Sequence, residues 1–319
     1  MLGIDLLILN DASAAAVGAT VDVVSAANRI LGTTEFDLRP VSPTRRVALR
    51  GGLATQADPL ARATPQALII APGLGAADAQ EIDERLSRPD AHVAARWLRD
   101  AAANGTEIAA SCTAVFLLAA AGVLDERRCV TTWWLGTELA RTAPAARVVV
   151  DEMVVHDGPI WTAGSSFAHI DLMLALMRHH SGGALADELA SRLLIDQRTS
   201  QAAFLIPSHL AARDETVAEL ESYVRAHPAE THTLASMARR CGMSERTLAR
   251  RTEGAAGLSP LQLVARVRLE RALHLLRTTQ LPLEQVAAAV GLSDPASLHR
   301  LVKKHTGRSP GATRPSARH

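Results

Sequence analysis

The sequence predicts an α/β N-terminal domain, a mainly parallel sheet with helices on both faces, joined to an all-α C-terminal domain with two helix-turn-helix units. Three observations predict it. The first half alternates short apolar runs with amphipathic stretches, the pattern of strands and crossover helices. The last hundred residues contain one helical pattern twice, 49 residues apart. The charge divides with the pattern: residues 212–319 hold 17 Lys+Arg against 10 Asp+Glu, and residues 1–211 hold 17 against 23. A basic module behind an acidic one is expected when only one domain meets phosphates.

At 319 residues the chain exceeds the ~250 to 300 residues at which single cores stop growing. We therefore expect a domain at 1–197, a linker at 198–213, where periodicity fades around DQRTSQAAFLIPSHLAARD, and a second domain at 214–319. No apolar run reaches the ~18 to 20 residues that span a bilayer, and MLGIDLLILN lacks a basic region with a cleavage site. The expectation is a cytoplasmic protein with no membrane partner. Cys112, Cys129 and Cys241 are widely spaced, odd in number and without a CxxC pair. They point to no disulfide framework, zinc site or other cofactor.

In the first half, residues 4–9 read as a strand and 21–31 as the following helix. The next pair is a strand at 67–71 and a helix through Trp97 and Leu98, then a strand at 107–110 and a helix at 113–121. Residues 147–150 and 153–155 read as a hairpin, with an HDGP turn after Val155, and 168–179 as a further helix.

In the second half the repeat is Leu234-x3-Ala238-x3-Gly242-x-Ser244 and Leu283-x3-Ala287-x3-Gly291-x-Ser293. Leu and Ala four apart share a helix face, and Ala admits a second helix closely. Gly ends the first helix in a left-handed conformation and Ser caps the next. After the turn the register slips by one, pairing Leu248 and Arg250 with Leu298 and Arg300. Between the units, residues 260–278 form an amphipathic helix with Leu263, Val267, Leu269, Leu273 and Leu276 apolar and Arg266, Arg268, Glu270, Arg271 and Arg277 polar-facing. Its ~27 Å length approaches the ~34 Å between major grooves on one face of B-DNA. The first recognition helix is expected to begin at Ser244, with Arg246, Thr247 and Arg250 near its exposed start, where arginine reaches guanine O6 and N7. The second is expected to begin at Ser293 and to offer Ser297 and Arg300. Lys303, Lys304 and Arg308 lie at its far end, suited to phosphate. The expected partner is double-stranded promoter DNA.

These motifs, GMSERTLARR, GLSP, RLERALHLL and VAAAVGLSDPASLHRLVKKHTGRSP, resemble the DNA-binding domain of the AraC family from Leu234 to Arg314. The family has Phe where this chain has Leu292 and Leu298, and aromatics around Val302 and His305, so the second unit is a variant. The resemblance implies a homodimeric transcription regulator, with RNA polymerase a candidate further partner.

The most chemically suggestive spot is IAASCTAVFLLAAAG, where the strand turns into a helix at Cys112 among Ala110, Ser111 and Ala114. A thiol at a helix N-terminus favours thiolate, although a lone Cys at a strand end is commonly an inert core residue. APGLG at 71–75, the Cys112 elbow, LAAAGVLDERRCVTTWW and TAGSSFAHIDLMLALMRHHSG resemble the PfpI and class I glutamine-amidotransferase-like domain of GlxA-type AraC regulators, across about residues 3 to 200. The resemblance implies a flavodoxin-like fold. It also marks departures. Ala114 stands for the family's elbow glycine, Trp133 for the histidine of its threonine-threonine-histidine-tryptophan run, and Ala16 at the first-loop acid.

A nucleophile without base and acid argues against an enzyme. His156 in a turn and His169 at a helix start are expected at the surface. The expected ligand site is Gly73, Cys112, Thr113 and Trp133, with Pro72 and the Cys112 and Thr113 amides offered to a small polar or anionic molecule. Trp134 and Trp161 are further wall candidates or core, and related regulators answer quaternary amines or amino acids, which tryptophan faces suit. Three readings follow: a regulator controlled by a small-molecule effector, a bifunctional cysteine hydrolase, hydratase or lyase tethered to a DNA-binding tail, and a regulator whose front domain only dimerises.

Overall fold

In the computed structural model, Ile4, Leu6 and Ile8 join one apolar cluster and Leu7 and Leu9 another. A strand buried on both faces needs helices on both sides. The structure describes residues 1–60, 65–196, 198, 200–201 and 204–314. The chain divides into two compact units, Met1–Gln197 and Arg198–His319.

The strands of the first unit are β1 (Leu2–Leu7), β2 (Phe36–Ser42), β3 (Arg46–Ala48), β4 (Ala54–Gln56), β5 (Asp58–Pro59), β6 (Leu68–Ala71), β7 (Glu107–Ser111), β8 (Arg128–Val130), β9 (Arg147–Val149), β10 (Val154–Asp157) and β11 (Ile160–Ala163). Seven form one sheet in the order β10-β11-β7-β6-β1-β2-β5. All its neighbours are parallel except β10 and β11, which form an antiparallel edge hairpin. The helices are α1 (Ala14–Leu31), α2 (Ala79–Leu86), α3 (Pro89–Ala103), α4 (Ala114–Ala120), α5 (Gly136–Thr142), α6 (Ala168–Ser181) and α7 (Gly183–Arg192). α1, α6 and α7 cover one face and α2, α3, α4 and α5 the other. Among the described residues, α1 alone is long and apolar enough to cross a bilayer by length and composition; it lies on the sheet with Val17, Val23, Val24 and Ala27 buried.

Two features depart from the sequence reading. Residues 147–150 and 153–155 do not pair: β9 runs parallel to β8, Cys129 opposite Val148, and β10 pairs with β11 around the HDGP turn. β2 was not expected, because Asp37, Arg39 and Pro40 interrupt its apolar run. Next to the sheet edge, proline is tolerated, and Arg39 forms an ion pair at 2.7 Å with the fully buried Asp5 of β1.

The second unit is helical: α8 (Pro207–Ala211), α9 (Glu215–Ala226), α10 (Leu234–Arg240), α11 (Glu245–Ala256), α12 (Pro260–Thr278), α13 (Leu283–Ala289), α14 (Pro295–Thr306) and α15 (Pro310–Thr313). Of the expected linker, positions 199, 202 and 203 lie outside the described residues, and Ala211 at the end of α8 packs with Val217, Ala255 and Leu263. α10–α11 and α13–α14 are the two helix-turn-helix units. Each has its own core: Val264 and Val267 join Met237, Ala238 and Leu248, whereas Leu269, Leu273 and Leu276 join Val286, Ala287, Leu298 and Val302. The two halves of α12 thus serve different units.

Two expectations for this unit are corrected. Asp294, not Ser293, caps α14, its Oδ1 accepting the Ser297 amide at 2.7 Å. The second turn holds one residue more than the first, which is the one-residue slip of the repeat. Arg266 does not face solvent; it is buried, with Nη1 2.8 Å from His305 Nδ1. The guanidinium turns inward to meet the buried His305 ring.

Candidate functional site

The elbow is built where β7 ends. Ser111 continues the strand, and Cys112 takes φ +55°, a conformation that side chains disfavour and that clusters at functional sites. Its amide donates to the carbonyls of Ala163 (3.0 Å) and Gly164 (2.7 Å) at the end of β11. That N–H is therefore committed to the neighbouring strand and not to a bound anion, contrary to the sequence expectation. The Cys112 carbonyl accepts from Thr131 Oγ1 at 2.8 Å. Its Sγ lies 3.3 Å from Thr132 Oγ1 and accepts from Ser166 Oγ at 3.8 Å. Both partners are hydroxyls.

The structure gathers the predicted ligand residues here and packs them tightly. Thr113 Oγ1 accepts the Leu74 amide at 3.0 Å, which ties the elbow to the loop after β6. Gly73 sits so close that a Cβ there would lie 3.1 Å from Cys112 Cβ and 3.5 Å from Sγ, so even an alanine would press on the cysteine and need it to shift. Trp133 follows Thr132, meets Trp134 edge to face at 5.2 Å, and is only 8% exposed, like Cys112. Trp134 donates its indole N–H to Ala77 O at 3.1 Å. Trp161 is elsewhere: it bonds Glu107 at the other end of β7 and so does not wall the elbow.

His169, expected at the surface, is completely buried. Its Nε2 lies 2.7 Å from Thr20 Oγ1 and its Nδ1 2.8 Å from Ser111 Oγ. Burial pushes its pKa down to about 4, so the ring is neutral at physiological pH. It sits one residue behind the thiol and bonds Ser111, leaving Sγ without it. Ala16 lies buried in the first turn of α1, its carbonyl accepting from Thr20 Oγ1 at 3.0 Å. His156 is exposed and stacks on Trp161. Among the described residues, no imidazole or carboxylate hydrogen-bonds the thiol.

Open space lies past the loop after β6, and none of Gly73, Cys112, Thr113 and Trp133 lines it. A cavity of about 300 Å³ adjoins the same loop, lined by Leu74, Gly75, Asp11, Arg50, Glu81 and Arg88 among others. Arg88 pairs with Asp11 at 2.6 Å, and Arg50 donates to Gly75 O. The mixed charge of this lining was not foreseen, since its residues come from separate loops and helix starts.

The second candidate surface is on the helical unit. Ser244 caps α11, accepting the Thr247 amide at 3.1 Å and lying 2.8 Å from Thr247 Oγ1. Arg246 and Arg250 are exposed on that helix. On α14, Ser297 Oγ donates to Asp294 Oδ2 at 2.8 Å and accepts from Arg300 Nη2 at 2.8 Å. Arg300, Lys303, Lys304 and Arg308 are exposed. The Asp294 carboxyl is held down to about 2 by hydrogen bonds from Ser293 and from the Ser297 amide and hydroxyl.

Comparison with known proteins places both surfaces in context. The DJ-1/PfpI family model matches residues 9–179, and a helix-turn-helix domain model matches residues 237–316. The chain is 26% identical over 222 residues to the HTH-type transcriptional regulator CdhR of Pseudomonas aeruginosa, spanning 69% of this chain and 66% of that protein. It is 29% identical over 225 residues to the HTH-type transcriptional regulator GlxA of Rhizobium meliloti, spanning 68% of each. A solved structure of an AraC family transcriptional regulator from Pseudomonas putida aligns with a TM-score of 0.53 at 26% identity, over 60% of this chain and 100% of that one.

Proposed function

The chain belongs to the DJ-1/PfpI family and carries an AraC-type helix-turn-helix domain, and on that premise we propose that it is a sequence-specific DNA-binding transcription regulator whose N-terminal domain binds a small metabolite without turning it over. The observation that carries this is the pair of helix-turn-helix units strung on α12, each presenting exposed arginine at the start or along its second helix. The relatives' names support it. Arg246 and Arg250 would read bases; Lys303, Lys304 and Arg308 would hold phosphates. We place the protein in the cytoplasm as a homodimer, with RNA polymerase as a further contact.

The effector would sit in the cavity beside Leu74 and Gly75, whose lining includes none of Gly73, Cys112, Thr113 and Trp133; those four would act on it only through the Leu74 loop that Thr113 holds. A small space lined by both arginines and carboxylates suits a zwitterion such as an amino acid or a betaine-like quaternary amine. A thiol whose partners are hydroxyls lacks the base that nucleophilic catalysis requires. One observation favours the cysteine-enzyme reading, the positive φ of Cys112. A thermal-shift screen of the full chain against amino acids, quaternary amines and small carboxylates separates the readings. The regulator predicts a melting rise shared by wild type and Cys112→Ser. A rise confined to wild type, together with turnover lost in Cys112→Ser, would establish the enzyme. No rise with any ligand would leave a dimerisation scaffold.

A further inference from the structure

At the end of the sheet opposite the elbow, one carboxylate and two imidazoles converge, with a third imidazole, His156, packed alongside. Glu107 opens β7, five residues before Cys112, roughly 16 Å from it at about 3.3 Å per strand residue. His179 and His180 lie in the last turn of α6, and His156 on β10. His180 Nε2 is 2.9 Å from Glu107 Oε2. The ligand atoms of Glu107, His179 and His180 all lie within 4.8 Å of one another. The His156 ring stacks flat on Trp161 at 3.7 Å and stands edge to face with His179 at 5.4 Å. His180 Nε2 is buried without a well-formed hydrogen bond, the carboxylate oxygen being its near polar neighbour.

We propose that Glu107, His179 and His180 form a three-ligand binding site for one divalent transition-metal ion of the zinc type, with solvent or an exogenous ligand completing the coordination. The donor set is nitrogen plus a single carboxylate, which suits zinc, copper or nickel over magnesium or calcium. Zinc ligand bonds of about 2.0 to 2.2 Å place donors roughly 3.3 Å apart in a tetrahedron. The present envelope reaches that spacing by rotation of the exposed His179. The carboxylate already has the support that metal ligands use: the Trp161 indole N–H donates to Glu107 Oε1, leaving Oε2 toward the imidazoles. No cysteine takes part, so the cysteine spacing gave no sign of it. A bound ion would tie the start of β7 to the end of α6.

The test titrates tag-free, full-length protein with Co²⁺ and then displaces it with Zn²⁺. The site predicts one equivalent per chain and a visible d–d absorption without a thiolate charge-transfer band. Affinity should fall about tenfold or more in His179→Ala and in Glu107→Gln, and stay unchanged in His92→Ala on α3. Because His179 is exposed, its variant keeps the fold. The proposal is overturned by absence of saturable uptake, by uptake undiminished in both ligand variants, or by a thiolate band that places the ion on a cysteine.

Discussion

His169 is sealed between Thr20 and Ser111, and its protonation couples to stability. Burial lowers its pKa to about 4 from an ordinary 6.5. Between those values the unfolded chain binds more protons than the folded one. Its contribution is intact above about pH 6.5, declines as pH falls through that window, and has cost about 3 kcal/mol near pH 4. His169→Gln removes the titration, so urea midpoints taken from pH 7 to pH 4.5 should give a flatter profile than wild type; an equally steep one would place the dependence elsewhere. The two turn glycines make a second test. Gly242 has φ +63° with nothing within 4 Å of an added Cβ, whereas at Gly291, φ +71°, a Cβ would meet Pro228 O at 2.5 Å and Ala229 Cα at 3.0 Å. Gly242→Ala should cost about 1 kcal/mol of backbone strain, and Gly291→Ala should lower the melting temperature further, because backbone must move. The elbow at Cys112 was legible because a strand, a lone thiol and small residues adjoin in sequence. Its partners were not: Thr132, Ser166 and the Ala163 and Gly164 carbonyls lie 20 to 54 residues away and leave no local mark. His169 was misjudged because helix starts usually face solvent, and α6 starts inside the domain.

Among the elements, α12 links the two helix-turn-helix units. Its 19 residues run about 28 Å, and its two halves belong to separate cores. The buried Arg266–His305 contact ties it to α14. Arg266→Ala would leave His305 buried without that partner and should destabilise the helical unit by about 1 to 3 kcal/mol. Arg271→Ala, on the exposed face of the same helix, should stay within about 0.5 kcal/mol. Chemical unfolding of both variants checks this, and equal losses would contradict it. On the proposed function, α11 and α14 are expected to separate by role. Arg246→Ala should relax sequence preference at one position by about 1 to 3 kcal/mol, whereas Lys303→Ala should weaken all sequences and flatten the salt dependence. Binding assays on matched and mismatched duplexes across salt distinguish the two. Helices with strong caps and repeats could be read from the sequence, as could β1, β6 and β7. β2 was hidden by Arg39 and Pro40. The β8–β9 pairing could not be read at all, since parallel neighbours far apart in sequence share no turn.

For the molecule as a whole, the division of charge matches the division into a DJ-1/PfpI unit and a helical unit. Opposite net charges on the two parts mean that one can approach a phosphate backbone while the other is repelled by it. On the proposed function, both helix-turn-helix units read DNA, set about one helical turn apart by α12. Hydroxyl-radical footprinting of the full chain, on DNA selected from a random pool, tests this most directly. Two protected patches per DNA-binding domain are expected on one face of the duplex, centred about 10 to 10.5 base pairs apart, with the second lost in the Arg300→Ala, Lys303→Ala, Lys304→Ala triple variant. A single patch in the wild-type protein, or two patches out of phase with the helical repeat, would contradict it.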